Sequence, residues 1–444
     1  MKQIVLKKGH NIRISGVPSS DSHTTVTSKT IGVSPNSFKN VKPKLMVAEG
    51  DKVKIGSALF YDKTKPKVKW ASPASGNVSK IMYGARRVIK KIEIEVDGEE
   101  KIINNLKTVE KLQTTSKNDI LNFLLDSNLF HLIRERPFNR VADPDKEPRD
   151  IFISGLNTAP IAINLLKMIT ENRVVFQRGL TAISKLTTGQ TYFTSSQNHN
   201  FENVENQIIS GPHPAGNVGI QIHHTKPLKP NDIVWTIDAQ HVLTIGRLFE
   251  TGSYNPSMII SVGGSGAPAP FIAKVNAGVQ VKDLIENQNL NEHKIRLVSG
   301  DVLTGKSTSQ NNFLGFYDST LSIINDTVKR PFLGMLSIGN SSTKYSLTRV
   351  FLRLTDKLFN FTTAQNGELR PMVPISAWEK VLPMDIFPNE LYRAILAQDI
   401  EEMEKLGIWE CDDEDFALCS FSCPSKIDVG KVIRDGLNLI EAEA

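Results

Sequence analysis

The stretch Pro43–Ile81 constrains the fold of this chain most, because glycines and prolines punctuate it at short intervals. Gly50-Asp51 and Gly56 occupy turn positions, and Pro73 with Gly76 marks a second turn. Between these turns, apolar residues alternate toward a core: Val53, Ile55 and Leu59. This pattern predicts two short strand pairs in a small β domain.

The same stretch resembles the barrel-sandwich unit of lipoyl and biotinyl carrier domains. In such carriers, a lysine at an exposed hairpin tip carries the cofactor. The corresponding region here is Tyr61-Asp62-Lys63-Thr64-Lys65-Pro66, which contains no Met-Lys-Met and is interrupted by Pro66. We therefore interpret the domain as structural, while Lys63 keeps a modified carrier as the alternative.

Charge is distributed unevenly along the chain. Residues 1–90 contain 18 Lys and Arg and 4 Asp and Glu, and residues 390–444 contain 5 basic and 14 acidic side chains. This polarity suits docking on a charged partner or a membrane surface, and equally suits solubility. Nucleic-acid binding ranks lowest, because no basic motif is interleaved with aromatic residues.

Membrane and redox features are sparse in the sequence. The three cysteines, Cys411, Cys419 and Cys423, are too few for a disulfide framework, which favours a reducing compartment. No apolar run at the N-terminus reaches signal-peptide length. The charge-free run from Ser253 to Ala273 is broken by glycines and prolines, so we expect any membrane association to be peripheral.

The middle of the chain predicts an α/β domain. Helical spacing follows Asn118, and Ile151-Phe152-Ile153-Ser154-Gly155 predicts a strand followed by a helix over 159–169. Val174-Val175-Phe176 and residues 180–183 suggest that the alternation continues, so the domain is Rossmann-like. No Gly-x-Gly-x-x-Gly follows a strand, which argues against a bound dinucleotide.

Two segments of this domain are candidates for ligand contact. Arg136 and Phe138 lie in Arg134-Glu135-Arg136-Pro137-Phe138, where arginines beside an aromatic ring suit an anion or a planar ligand. The structural interpretation, favoured about two to one, is that these cations end the preceding helix. The second segment is the unusual loop Gly211-Pro212-His213-Pro214-Ala215-Gly216, followed by His223-His224.

That loop admits three interpretations. A hydrogen-bonded His213 in a rigid turn is favoured over a metal site, because no compact set of Cys or carboxylate ligands accompanies it. A planar quinone could also lie there, with a histidine donating to its carbonyl. The candidate quinone contacts are His213, Gly216 and His223, with Arg136 and Phe138 as a second group. We assign no catalytic and no metal-binding residue.

The last part of the chain divides into a β-grasp unit and a helical region. Strand, turn and short-helix patterns over 275–305 resemble a β-grasp unit. Residues 374–407 predict helices whose buried side chains are Trp378, Leu382, Ile386, Leu391, Ile395 and Leu396. Cys419-Ser420-Phe421-Ser422-Cys423-Pro424 resembles the end of an iron-sulfur ligand run without its earlier cysteines. We expect a relic without a cluster, with a shared or three-ligand site left open.

In order along the chain, several of these stretches resemble the A subunit of the sodium-translocating NADH:quinone reductase. They are Glu49-Gly50-Asp51 through Gly76-Asn77-Val78, Arg136-Pro137-Phe138, the His213 loop, Leu297-Val298-Ser299-Gly300, Phe313-Leu314-Gly315, and Ala417 through Lys426. The family is related to the C subunit of Rnf complexes and to the flavin-bearing subunit of complex I. The resemblance implies a multidomain α+β and α/β chain. Its units are a barrel-sandwich domain (1–105), a Rossmann-like domain (106–255), a β-grasp, SLBB-like domain (256–330) and a helical domain (331–444).

The same resemblance implies a function. Such a subunit is peripheral on the cytoplasmic face of the bacterial inner membrane, sits on the membrane-embedded B subunit, and carries no redox cofactor of its own. NADH, FAD, FMN and iron-sulfur centres belong to the partner subunits, and ubiquinone is the candidate ligand here. The alternative is a free-standing carrier using Lys63, which an intact-mass measurement would detect.

Overall fold

The structure is a computed structural model that describes residues 2–19, 23–106, 111–290, 294–326 and 358–443, together with 332–333, 336 and 345–347. The N-terminal segment contributes two short strands, β1 (Lys2–Val5) and β2 (His23–Thr25). Each pairs within a sheet built mainly from residues more than 150 positions later. The segment therefore joins two distant domains before the first domain begins.

The first domain is a sandwich of two small sheets. Its strands are β3 (Thr30–Val33), β4 (Pro43–Leu45), β5 (Lys52–Val53), β6 (Ala58–Asp62), β7 (Lys69–Ala71), β8 (Gly76–Tyr83) and β9 (Ile89–Val96). One sheet has the order β3-β9-β8-β5 and the other the order β4-β6-β7. Alternate residues Ile92 and Ile94 are fully buried, as the period-two pattern of β9 requires. The predicted β sandwich is confirmed.

The second domain is built on a seven-stranded sheet. Its strands are β10 (Arg134–Arg136), β11 (Arg140–Val141), β12 (Asp150–Ser154), β13 (Thr191–Ser195), β14 (Glu205–Ser210) and β15 (Val234–Asp238), with β1 at one edge. The order is β1-β14-β13-β12-β15-β10-β11, and the five strands from β1 to β15 are parallel. Ile151, Phe152 and Ile153 are all buried, as expected for a strand covered on both faces.

The helices that accompany this sheet, within the part of the chain that the structure describes, are α1 (Lys117–Asp126), α2 (Leu165–Glu171), α3 (Arg173–Ser184), α4 (Val218–Thr225) and α5 (Ala239–Thr251). Asp238 begins α5 by accepting a hydrogen bond from the Gln240 amide (2.8 Å), and Gly252 ends it with a φ of 71°. Residues 174–176 and 180–183 all lie in α3, so no strand interrupts α2 and α3 before β13.

In its described residues, the third domain has a six-stranded sheet and the helix α6 (Val281–Ile285). Its own strands are β16 (Ser257–Gly263), β17 (Phe271–Asn276), β18 (Ile295–Ser299), β19 (Lys306–Thr308) and β20 (Thr320–Asn325). The order is β19-β18-β20-β16-β17-β2, so β2 extends the edge beside β17.

The C-terminal domain is helical in its described part, with α7 (Pro388–Ala397), α8 (Ile400–Lys405), α9 (Ala417–Ser422) and α10 (Val429–Glu443). Five of the six side chains predicted to be buried are buried, whereas Leu396 is 61% exposed near the end of α7. The predicted boundary at 330/331 lies outside the described residues. None of the helices in the described ranges is both long and apolar enough to cross a bilayer.

A cluster of aromatic rings joins the first three domains. Trp70 stacks on Phe60 (4.7 Å between centroids) and on His131 (5.4 Å), and Phe316 contacts both His131 (5.0 Å) and His241 (5.7 Å). The Tyr317 hydroxyl donates to the His131 carbonyl at 2.9 Å. We call this set the ring cluster: Phe38, Phe60, Trp70, His131, His241, Phe316 and Tyr317.

Candidate functional site

A cleft of about 2700 Å³ runs between the domains. The carboxyl ends of β12 and β15 open into it through Ser154 and Asp238, and the loop before α4 contributes His213 and Gly216. Residues 300–305 and parts of the C-terminal domain form the opposite side. Ligand pockets usually hold about 300–1,000 Å³, so this is an interdomain cleft with room for a ligand in one part of it.

His213 is the candidate residue with the clearest ligand chemistry. Its side chain lines the cleft although the residue is only 3% exposed. The backbone is fixed on both sides, because the His213 amide donates to Asn11 Oδ1 (2.8 Å) and the His213 carbonyl accepts from the His10 amide (2.8 Å). The ring Nδ1 lies 3.2 Å from Thr158 Oγ1.

The other ring nitrogen, His213 Nε2, has no hydrogen-bond partner among the residues that the structure describes. Burial lowers the pKa of His213, against smaller opposing effects of Asp301 and Glu414. The imidazole is therefore neutral at pH 7, with one open nitrogen. A neutral imidazole nitrogen can donate to a carbonyl or accept from a hydroxyl, and a buried one without a partner is costly.

Gly216 lies beside His213 but acts through close packing. Its amide donates to Thr158 Oγ1 (2.8 Å) and its carbonyl accepts from Ser154 Oγ (3.0 Å). A Cβ at this position would stand 2.5 Å from the Thr158 nitrogen. Gly216 thus lets the loops after β12 and β14 approach each other, and both of its polar groups are already engaged.

His223 does not line the cleft. It lies on α4, where its Nδ1 donates to Glu410 Oε2 (2.7 Å) and its Nε2 accepts from the Asp385 amide (3.0 Å). Both ring nitrogens are therefore used to hold α4 on the C-terminal domain. A ligand could contact His223 only by displacing these bonds.

Arg136 lies on strand β10, so the prediction that it ends a helix is wrong. Only 2% exposed, it places Nη1 2.8 Å from Asp412 Oδ2, and its Nη2 bonds Glu414. Asp412 also bonds Arg434 and Asn139. Arg136 pairs with Val234 of β15, about 100 residues later, and its side chain lies among carboxylates of residues 412–415, so both sets of partners are distant in sequence.

Phe138 belongs to the same interface. Its ring meets Trp409 edge to face at 6.0 Å, and its carbonyl accepts from Arg434 Nη1 (2.9 Å). We define the ion cluster as Lys39, Arg136, Asn139, Asp412, Asp413, Glu414, Asp415 and Arg434. It fastens the C-terminal domain to the other domains and uses part of the charge polarity seen in the sequence.

Asp415 belongs to this cluster, and no pattern in the sequence indicated a role for it. Burial raises its pKa to about 7, although Arg136 opposes the shift. Asn217 Nδ2 donates to Asp415 Oδ1 (3.1 Å), and a Cβ on Gly219 would stand 2.0 Å from Asp415 Oδ2. The acidic residues 412–415 can be recognised in the sequence, but the residues they pair with lie in distant segments of the chain.

Cys411, Cys419 and Cys423 are buried free thiols. Burial raises the pKa of both Cys411 and Cys419 above the ordinary value, so these sulfurs are neutral and unlike the thiolates that ligate iron. Within the described ranges, no group of three or more His, Cys, Asp or Glu side chains is arranged to hold a metal ion. The absence of a cluster stays a prediction.

Lys63 is exposed on the turn between β6 and β7, but that turn is fastened. Lys65 Nζ donates to the Val141 carbonyl (3.2 Å), and Lys67 Nζ donates to Asp145 Oδ1 (2.6 Å). A carrier hairpin must present its lysine freely to other active sites. The docked turn does not favour the carrier alternative.

Three family models of known proteins match parts of this chain. Family models match residues 4–97 as "NqrA N-terminal barrel-sandwich hybrid domain", 115–254 as "NqrA second alpha/beta domain" and 259–310 as "NQRA C-terminal domain". An NAD+-reducing [NiFe]-hydrogenase structure covers 51% of this chain and 52% of its own, at TM-score 0.35 and 9% identity, a likeness too low to support an argument.

Curated relatives match from end to end. The A subunit of the Na(+)-translocating NADH-quinone reductase of Hahella chejuensis is 35% identical over 99% of this chain and 100% of its own length. The corresponding A subunits of Pasteurella multocida and of Neisseria meningitidis serogroup B are 35% and 36% identical, each over 99% of this chain and all of its own. The chain therefore belongs to the NqrA family, the A subunits of the Na+-translocating NADH-quinone reductase.

Proposed function

We propose that this chain works as one subunit of a sodium-pumping respiratory NADH:ubiquinone oxidoreductase. The single observation that carries this proposal is the end-to-end match, at about 35% identity, to proteins named as the A subunit of that enzyme. The match includes the barrel-sandwich, α/β and third domains, so it does not rest on one widespread module.

Within that assembly, we assign the chain a peripheral place on the cytoplasmic face of the inner membrane, against the membrane-embedded B subunit. It supports assembly and carries no redox cofactor of its own, while NADH, FAD, FMN and iron-sulfur centres act on partner subunits. The neutral buried thiols and the missing dinucleotide fingerprint support this division. The proposed domains of the chain are residues 1–105, 106–255, 256–330 and 331–444.

Strand order supports the finer fold assignments. The order β14-β13-β12-β15 of the parallel sheet is the 3-2-1-4 order of Rossmann-like domains. In the third domain, the order β19-β18-β20-β16-β17 sets two hairpins on either side of the last strand, as a β-grasp unit requires. Both assignments belong to this proposal.

We assign the ubiquinone contact of this chain to the part of the cleft at His213. The open Nε2 can donate to a quinone carbonyl or accept from a quinol hydroxyl. Gly216 contributes by allowing the loops after β12 and β14 to pack closely beside His213. His223, Arg136 and Phe138 contribute indirectly, by holding the walls of the cleft together.

The assembly is tested by using this chain as bait in detergent-solubilised membranes, with absorbance spectra of the bait and of the recovered material. We expect a colourless bait and a coloured, flavin-bearing complex. A coloured bait that recovers no partner would overturn the proposal and return attention to Cys411, Cys419 and Cys423.

The quinone contact is tested separately in the purified complex by His213→Ala. Loss of one neutral hydrogen bond is worth about 1 kcal/mol, so we expect the KM for quinone to rise about fivefold with NADH oxidation by an artificial acceptor unchanged. His199→Ala, a half-buried histidine outside the cleft, is the matched control. An unchanged KM in His213→Ala removes this residue from the proposal.

A further inference from the structure

The hairpin of β8 and β9 extends beyond the sheet that holds it. The last pairing with β3 joins Val33 to Ile92, whereas β8 and β9 continue to pair as far as Tyr83 and Ile89. Beyond the pair Val33–Ile92, the sheet consists of β8 and β9 alone. At the usual rise per residue, the three residues from Ile92 to Ile89 span about 10 Å. Ile89, at the base of the tip formed by residues 84–88, is still buried in the core of the first domain, whereas residues 85–88 of the tip are exposed.

The charge on this arm has one sign. Residues 79–92 contain five basic residues and no acidic residue. Lys91 is engaged at the base, where it pairs with Glu93 (2.7 Å) and lies over the Phe313 ring (5.0 Å). The other four, Lys80, Arg86, Arg87 and Lys90, are exposed and make no ion pair with any residue that the structure describes.

Two apolar side chains accompany these charges. Tyr83 and Val88 are each 48% exposed on either side of the tip. The backbone holds Arg86 and Arg87 in the left-handed region, with φ of 54° and 58°. This conformation is uncommon for residues other than glycine and asparagine. It forms a tight turn in which the two arginines are adjacent.

An aromatic ring with a polar tip, an aliphatic side chain and several unpaired cations is the composition that favours the interface of an anionic bilayer. Each Lys or Arg near such a surface multiplies the binding constant by about five. An acidic protein surface could also pair with these cations, but such a partner would additionally need a pocket complementary to Tyr83 and Val88.

We propose that the β8–β9 tip is a lipid contact that docks on anionic phospholipid headgroups with Arg86, Arg87, Lys80 and Lys90, while Tyr83 and Val88 enter the interface. This contact adds to protein contacts in an assembly and does not depend on the proposed function.

The test is flotation of the full purified chain with vesicles of phosphatidylcholine alone or mixed with phosphatidylglycerol. We expect binding to the mixed vesicles only, weakening with added salt because screening shortens the range of the attraction. Arg86→Asn with Arg87→Gly removes both charges and inserts residues that tolerate the left-handed turn, so the fold is kept. Its binding should fall about 25-fold, a factor of about five for each lost charge.

Arg86→Lys with Arg87→Lys should retain binding, and Lys229→Gln with Lys282→Gln, exposed cations elsewhere, should leave it unchanged. A fluorophore on Val88→Cys should report a less polar setting on binding, since the native thiols are buried. The proposal is overturned by no binding to either vesicle, by equal loss in the Lys229 and Lys282 control, or by an RNA oligomer that binds the tip in preference to the mixed vesicles.

Discussion

The α/β domain meets its neighbours through two interfaces of opposite chemistry. Toward the first and third domains lies the ring cluster, where Trp70 is fully buried between Phe60 and His131. Toward the C-terminal domain lies the ion cluster, where Arg136 is buried among carboxylates. Apolar burial is favourable by itself, whereas charges must first lose their hydration.

The two interfaces stabilise the arrangement of the domains in different ways. The ring cluster gains stability from area and tolerates small changes of chemistry. The ion cluster has little net stability but a strict partner requirement, because removing one charge leaves its partner buried and unpaired. The two interfaces should therefore respond differently to substitution, to pH and to added volume.

The largest effect is expected for Trp70→Ala. Deleting a buried tryptophan from the ring cluster removes its contacts and leaves a cavity, at a cost of about 4 kcal/mol in the free energy of unfolding. Trp70→Phe should cost much less, because Trp70 Nε1 has no hydrogen-bond partner within the described ranges. Urea unfolding measures both, with exposed Tyr83→Ala as the control. Equal losses in the two Trp70 variants would contradict this account.

Arg136→Ala in the ion cluster should cost about 3 kcal/mol, because Asp412 and Glu414 lose a buried partner. Arg136→Met combined with Asp412→Leu removes both charges and should cost less than the single change. Urea midpoints of the two variants decide this, and a worse double variant would mean that other members of the cluster depend on Asp412.

Acidification should weaken the ring cluster. Burial lowers the pKa of His131 and of His241 to about 3, from about 6.5 in the unfolded chain. Because the unfolded state then binds the extra proton, each histidine removes about 2 kcal/mol of stability between pH 7 and pH 5. The raised pKa of Asp415 works in the opposite direction, since the folded state takes up the proton first.

Unfolding at pH 7 and pH 5 separates these contributions. His241→Gln should make stability less sensitive to acid, and Asp415→Asn should make it more sensitive. Identical pH dependence in both variants and the unchanged protein would show that neither interface titrates in this range.

The smallest effect on the free energy of unfolding is expected when a methyl group is added at Gly219. Gly219→Ala places a Cβ against Asp415 and should cost about 1–2 kcal/mol through overpacking. Combining it with Asp415→Ala removes the obstructing carboxylate, so the cost of the added methyl should vanish in a double-mutant cycle. A cost that persists there would place the strain in the backbone of α4.

Local patterns predicted the parts of the fold that depend on neighbouring residues. The alternation of Val53, Ile55 and Leu59 and the glycines of the first domain predicted a small β domain, and all three side chains are buried in its core. Arg136 shows the limit: β11 pairs with the neighbouring Arg134 and Glu135, whereas Arg136 pairs with Val234, about 100 positions away. At the candidate site, the His213 loop was recognisable from its glycines and prolines. Thr158 and Asn11, which orient His213, carry no local signal.

The two N-terminal strands have a consequence for synthesis of the chain. β1 and β2 emerge from the ribosome long before β14 and β17, the strands that complete them at residues 205–210 and 271–276. At about 5–20 residues per second, β2 waits roughly 12–50 s for its neighbour. During that interval its unpaired edge is open to other chains, so slower elongation should raise the fraction of nascent chains captured by chaperones.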